Sequence, residues 1–488
     1  MELVRGSRRA ASVATALALF SLGGCFYLGT SEGGGEVPPV ARRAVDPADV
    51  AVPEGYRVEV VAAGLTFPVG ITFDDEGVPY VVESGYAYDE NWGTPRLLRL
   101  DPEKGPVLVA TGEEAPWLGV DYDDGAFFVA EGGIVEGGKI LRIEPDGRAR
   151  ALVDGLPGFG DHHTNGPVVG PDGYIYFGQG TATNSGVVGL DNYDFGWLIR
   201  RPNYHDVPCR DVTLTGVNYR TRNPLTPVDD DEVVTGAYSP FGVPTVPGQV
   251  IRGRVPCNGA IMRIPKDGGD VELVGWGFRN PWGLAFSPDG RLFITDNGYD
   301  VRGSRPVWGS ADWLWEVVPG RWHGWPDFAG GRSVTDGRYD ILGVPRPKPL
   351  LATLPNEPPT PAAFFGVHSS SNGVDFSRSE RFGYVGQAFV AQLGDMAPNV
   401  GKVLEPVGYR VVRVDPATGV ITPFAENRGH VGPASFGDGA GLERPVDVAF
   451  HPRGDALYVV DFGVMTISEE PRPQKGTGVV WRIAREGT

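Results

Sequence analysis

The strongest constraint on this chain is a repeated unit. An apolar strand is followed by a tight turn, a second apolar strand, then an acidic or polar residue and Gly. The unit recurs six times: PVGITFDDEGVPYVVESG at 68–85, WLGVDYDDGAFFVAEGG at 117–133, NGPVVGPDGYIYFGQG at 165–180, PWGLAFSPDGRLFITDNG at 281–298, SNGVDFSRSERFGYVGQAFVAQLG at 371–394 and PVDVAFHPRGDALYVVDFG at 445–463. Each copy reads as a β-hairpin, because alternating Val, Ile, Phe and Tyr suit a pleated strand and Asp-Gly suits the turn. Further strands follow several copies, among them KILRIEP at 139–145, GAIMRIPKDG at 259–268, YRVVRVDPATG at 409–419 and VVWRIARE at 479–486. Two hairpins per unit make a four-stranded antiparallel blade. Six units predict an all-β, six-bladed β-propeller, with YRVEVVAAG at 56–64 closing the ring by completing the last blade.

Composition agrees. Gly (72) and Pro (44) make up about a quarter of the 488 residues, too many helix breakers for a bundle. Hydrophobic residues at 41% and aromatics at 10% exclude a disordered chain. The net charge of −18 excludes nucleic acid as a partner. The first copies are evenly spaced, but the gap between the third and fourth is too long for one blade. It predicts an inserted excursion over 184–258, between blades 3 and 4 on one face of the ring, carrying Asp229-Asp230-Asp231-Glu232. The propeller as a whole is expected over 53–486.

The N-terminus reads as an export signal. Arg5, Arg8 and Arg9 precede an apolar stretch from Ala10 to Leu22, too short to span a bilayer. It ends in Leu22-Gly23-Gly24-Cys25, which resembles a bacterial lipobox. The expectation is a lipoprotein signal over 1–24 and a lipidated Cys25; an ordinary signal peptide with an incidental Cys is the alternative. Residues 25–52, with Gly33-Gly34-Gly35, Pro38 and Pro39, read as a flexible tether. The chain would then sit on the periplasmic or cell-surface face of a membrane, held by lipid alone. Two cysteines remain, Cys209 and Cys257, and in an oxidising compartment they are expected to pair, two unpaired buried thiols being the alternative.

Loops at one end of a propeller surround its central channel, where ligands bind by default. The repeat ends there carry Asp161-His162-His163-Thr164-Asn165, Arg279-Asn280-Pro281, Asp296-Asn297-Gly298, His368-Ser369-Ser370 and Arg444-Pro445. A histidine suits a general base, with a surface or turn histidine as the plain alternative. Arg279 offers a fixed charge and a planar fork for an oxyanion or carboxylate, with a structural salt bridge as its alternative. No G-x-G-x-x-G, Walker or H-E-x-x-H motif is present, so nicotinamide, nucleotide and zincin readings lack their signatures.

HHTNGPVVGPDGYIYFG, GFRNPWGLAFSPDGRLFITDNG and RWHGWPDFAGG, in this order, resemble the soluble quinoprotein glucose/sorbosone dehydrogenase family. The similarity covers roughly 53–486 apart from the excursion. It implies an extracytoplasmic six-bladed propeller that uses pyrroloquinoline quinone (PQQ) and calcium to oxidise a sugar or related alcohol, passing electrons to an external acceptor. Carried over by motif, His163 matches the catalytic base, with His162 the alternative if the alignment slips. Arg279 and Asn280 match the pair that contacts the quinone. Glu114 falls where the family has a Gln or Glu near the cofactor, Arg444 at a cofactor-binding Arg, Gly298 and Tyr299 where backbone carbonyls help hold calcium, and Asp312 near an acidic position on the substrate side. Two cations depart from the pattern. The fifth-blade Lys is absent from Ala391-Gln392-Leu393-Gly394, Lys402 coming only later, and a second Arg after Arg444 is Val446. In the implied mechanism His163 takes the hydroxyl proton as hydride moves to the quinone, and Arg279 stabilises the charge that develops. Two rivals stay open: a non-enzymatic tethered propeller binding a glycan or protein, and a calcium-dependent lactonase built on Glu83, Asp296, Asp447 and Asp461.

Overall fold

The computed structural model describes residues 31–40, 42–87, 91–134, 137–397, 403–437, 439–468 and 471–487. Six antiparallel sheets form the blades. Blade 1 pairs Pro68–Phe73, Pro79–Glu83, Arg96–Asp101 and Gly105–Thr111 in order, and blade 2 runs from Trp117–Asp123 to Ala149–Leu156. Blade 3 comprises Thr164–Val169, Tyr174–Gln179, Ala260–Pro265 and Glu272–Trp276. Blade 4 uses Pro281–Phe286, Leu292–Asp296, Ala311–Glu316 and Ala363–Val367, and blade 5 runs from Ser371–Phe376 to Val420–Asn427. Blade 6 takes Pro445–Phe450, Ala456–Asp461 and Gly478–Arg485 from the C-terminus. Its outer strand is the N-terminal Tyr56–Leu65, as expected from the sequence. Joining the two ends of the domain through one ladder closes the ring, so no blade edge is left open at the seam.

The strands form where period-two patterning lets one side chain face each neighbouring blade. Phe177, Phe293, Phe389 and Trp481 are fully buried between blades, the close-packed stacking that holds such a ring together. Neighbouring inner strands approach each other closely near the channel. Gly119 has φ of +144°, and a Cβ there would lie 2.2 Å from the Gly166 carbonyl oxygen of the next blade. Only Gly tolerates both the backbone and the approach. Aspartates in the inner strands stitch neighbouring blades: Asp121 accepts from the Val169 N–H (2.7 Å), Asp375 from Phe450 (2.8 Å) and Asp447 from Ile71 (3.0 Å). These three carboxylates line a cavity of about 360 Å³ around the channel axis. Burial pushes Asp121 up to about 6 and Asp447 up to about 7, with further repulsion from Asp375.

Two expectations are revised. The excursion leaves between the second and third strands of blade 3, not between blades 3 and 4: the strand at Ala260–Pro265 pairs with Tyr174–Gln179 and so belongs to blade 3. It carries two short helices, Leu190–Asp194 and Trp197–Arg200, and two short two-stranded ladders, one nested inside the other. The Cys209–Cys257 disulfide closes its base, with Cα atoms 5.0 Å apart. The segment at 31–52 is no free spacer. Val50–Ala51 adds a fifth strand to blade 5, and Gly33, Gly34 and Gly35 pack against Ala397, Pro433 and Phe436. Glycine gives the segment no side chains, and that lets its backbone lie flat on the propeller. Cys25 and Lys402 lie outside the described residues.

Candidate active site at the channel mouth

The mouth is the end where each blade's first strand begins and its second strand ends. Two turns from adjacent blades meet there. The loop at 161–163 is pinned by backbone bonds from Asp161 to Ala182 and from His162 to Thr181, and the Thr181 N–H donates in turn to the Arg279 carbonyl at 2.9 Å. The Arg279-Asn280 turn is held by the Asp296 carboxylate, which accepts both backbone N–H groups at 3.1 and 2.7 Å and the Trp315 indole at 3.3 Å. Burial pushes Asp296 up to about 7 against those donors. A chain of amides then crosses three blades: Asn165 donates to Asn280 (3.2 Å), Asn280 to Asn297 (2.9 Å) and Asn297 to the Ser371 carbonyl (2.9 Å).

Arg279 is buried, and its guanidinium is fully engaged. Nη2 donates to Asp300 at 2.8 Å and to Asn184 Oδ1 at 2.9 Å, while Nε donates to the Asn184 carbonyl at 3.2 Å. Arg302 extends the network, reaching Asp300 (3.0 Å), Asp161 (2.7 Å) and Asp191 (2.7 Å). Burial opposes the Asp300 charge, but Arg279 and Arg302 outweigh it and hold the carboxyl well below the usual range. His368 Nδ1 lies 3.7 Å from Asp300. Its Nε2 is buried without a partner, as is Asn165 Oδ1. Both His368 (φ 56°) and Ser370 (φ 49°) adopt left-handed backbone that non-glycine residues avoid, strain of the kind that gathers at ligand sites.

His162, not His163, faces this network. Burial, then the charges of Arg279 and Arg302, push it well below the ordinary histidine value, so the ring is neutral. Its Nδ1 lies 3.0 Å from both the Thr181 carbonyl and Oγ1. A carbonyl can only accept, so Nδ1 carries the proton and Nε2 keeps the lone pair a base needs. His163 turns the other way, its Nδ1 3.1 Å from the Gly158 carbonyl and its ring 6.3 Å from Trp197.

The other sequence candidates divide. Gly298 donates to Asp312 at 2.9 Å, and Tyr299 is buried with its hydroxyl on the Phe328 carbonyl. Asp312 is buried beneath the mouth, accepting from Ser369 and Ser371 as a brace for that loop. Glu114 belongs to a separate cluster, 3.1 Å from Lys139, which also pairs with Glu131. Arg444 is fully buried, donating to the carbonyls of Leu393, Asp395 and Gly33 over the Tyr409 ring. Val446 sits in the blade core. Of the carboxylates weighed for a lactonase, Glu83 pairs with Arg96 and Asp461 with Arg43, while Asp296 and Asp447 cap backbone N–H groups. Among the described residues, no group of three or more His, Cys, Asp or Glu could hold a metal. Asn184, Asp300 and Arg302 were not among the residues the sequence placed at the mouth. Asp300 and Arg302 follow directly on the Asn297-Gly298 strand end, which was the available signal.

No protein-family model matches the chain, and no curated protein matches it in sequence. Solved structures do match in fold. The PQQ-bound form of aldose sugar dehydrogenase from Streptomyces coelicolor is 17% identical, covering 89% of this chain and 99% of that one, with a TM-score of 0.50. The holo PQQ domain of pyranose dehydrogenase from Coprinopsis cinerea is 17% identical over 92% and 98%, with a TM-score of 0.52. A Trichoderma reesei carbohydrate-active enzyme of family AA12 is 16% identical over 92% and 100%, also at 0.52. The fold is thus that of PQQ-dependent sugar dehydrogenases, as the motifs implied.

Proposed function

We propose that the chain is an exported oxidoreductase, lipidated at Cys25, that oxidises a hydroxyl of a sugar or related alcohol at the channel mouth with PQQ and calcium. The observation that carries this reading is His162: a buried, neutral imidazole whose tautomer is fixed by Thr181, beside a charged network from the adjacent blade. The residues present fit the quinone along one edge. Asn280 and Arg279 stand at the mouth, and the unpartnered His368 Nε2 and Asn165 Oδ1 await a polar ligand. The backbone carbonyls of Gly298 and Tyr299 are oxygens of the type calcium takes. The chemistry a bound quinone supplies is acceptance of a hydride. His162 Nε2 takes the hydroxyl proton as the carbon loses its hydride, so the alcohol leaves as a carbonyl compound. Thr181 keeps the imidazole oriented, and the Asp296 cap keeps the Arg279-Asn280 turn rigid.

One feature favours a second reading, a sugar-binding propeller that takes no quinone. Asp300 and Asn184 fill the fork of Arg279, and the carbonyls of Gly33, Leu393 and Asp395 fill that of Arg444. A cofactor with three carboxylates then meets paired cations. Purified protein mixed with calcium and PQQ separates the two readings. A bound-quinone absorbance with aldose oxidation through an artificial acceptor supports the dehydrogenase. No spectral change and no turnover, with a sugar-induced shift in tryptophan fluorescence, supports the binder.

A further inference from the structure

We infer that the mouth face of the propeller is the face that lies against the lipid bilayer. The inference rests on the reading of Cys25 as a lipid anchor, and it is carried by where the tether ends. The N-terminal segment docks on the mouth. Ser31 donates its N–H to the Val403 carbonyl, Gly35 accepts from the Ile467 N–H, and the Gly33 carbonyl takes Arg444. Val403 and Ile467 both lie in loops joining second to third strands, at the mouth end of blades 5 and 6. Only five residues lie between Cys25 and Ser31, and the six steps from one to the other, fully extended, reach about 20 Å. An anchor there cannot leave the opposite end of the ring facing the membrane.

The surface composition of the same face agrees independently. Ile199 (64% exposed) and Phe195 (51%) project from the excursion beside the exposed Arg200 and Arg201. Leu404 (56%) follows Val403, and Phe436 (49%) packs beside Gly35. Trp92 (38%) pairs with Tyr86 in a short ribbon between the second and third strands of blade 1. Exposed aliphatic and aromatic side chains next to arginine suit a headgroup boundary. The Arg200-Arg201 pair is also a local exception in a chain of net charge −18, and it is of the sign that anionic lipids attract.

The test uses the full chain in its native membrane, with Ile199→Cys on the mouth and Val420→Cys at the far end of blade 5, each carrying a spin label. Both positions are exposed, so neither substitution threatens the fold. A lipid-soluble paramagnetic relaxant should reach the label at 199 at least fivefold more effectively than that at 420. Equal accessibility in membrane-bound protein overturns the orientation. The mass of the mature N-terminus reports the anchor separately. If Cys25 carries no lipid, the unlipidated protein is sedimented with phosphatidylethanolamine–phosphatidylglycerol vesicles. Binding lost on Phe195→Ser with Ile199→Ser then supports the face, and no binding at all overturns it.

Discussion

Removing the Asp300 charge is the sharpest perturbation of the candidate site. In Asp300→Asn the side chain keeps its shape, but the Arg279 guanidinium loses the one carboxylate it pairs with among the described residues. Arg302 keeps two, Asp161 and Asp191 at 2.7 Å each, so the uncompensated charge falls on Arg279, whose remaining bonds go to Asn184 and the Asn297 carbonyl. Breaking one side of a buried pair costs about 3–5 kcal/mol, and the surviving neutral acceptors place this case at about 3 kcal/mol. With an unfolding entropy of roughly 2 cal/mol/K per residue over a chain of this length, that corresponds to a Tm lower by about 3 °C. The released guanidinium should also bind a carboxylated ligand at least tenfold more tightly, worth about 1.4 kcal/mol. Differential scanning calorimetry reads the first effect, and PQQ titration by absorbance or calorimetry reads the second. An unchanged Tm together with unchanged quinone affinity would refute the claim that Asp300 occupies and neutralises the Arg279 fork.

Other outcomes follow from the same geometry. His162→Gln should lower turnover by about 10²–10⁴-fold and His163→Gln by far less; the reverse order in steady-state rates would return the base to His163. Because the His162 value is depressed below that of an unfolded histidine, its neutral form persists in the fold: the acid limb of a pH–rate profile should lie below the ordinary histidine range, and stability from this group is lost as pH falls below the unfolded value near 6.5. Asp447 has the opposite sign. Its folded value of about 7 exceeds the unfolded one, so the native state binds the extra proton and stability from this group falls as pH rises from about 4 to 7. Since the carboxylate lines an open cavity, the effect is about 1 kcal/mol, and urea titrations of Asp447→Asn at pH 5 and 8 should show a smaller difference than wild type. Replacing Cys209 and Cys257 together by Ser removes a constraint of about 4 kcal/mol in the loop-entropy model, a figure whose origin is debated. Limited proteolysis should then cut first within 184–258, and an unchanged digestion pattern would count against the bridge as the clasp of the excursion.

The ring was written in local patterning. Period-two patterning and turn chemistry act over a few residues, so six hairpins, their blade count and the closing strand at 56–64 were legible without coordinates. The pairing of Cys209 with Cys257 followed from the count of thiols, and the positions of Arg279 and Asn280 at a channel mouth followed from their place in the repeat. What lay beyond reach were relations between distant segments. Whether the excursion leaves within blade 3 depends on which strand Ala260–Pro265 pairs with. Which of two adjacent histidines turns inward depends on a single carbonyl, Thr181 for one and Gly158 for the other. Asn184 and Asp300, 116 residues apart, meet only because two blade loops converge on the axis, and Gly33 finds Arg444 from more than 400 residues away. Local propensity carries no record of such meetings. They are set by ring closure, which brings every blade's loops to one mouth and lets buried charges choose partners across it.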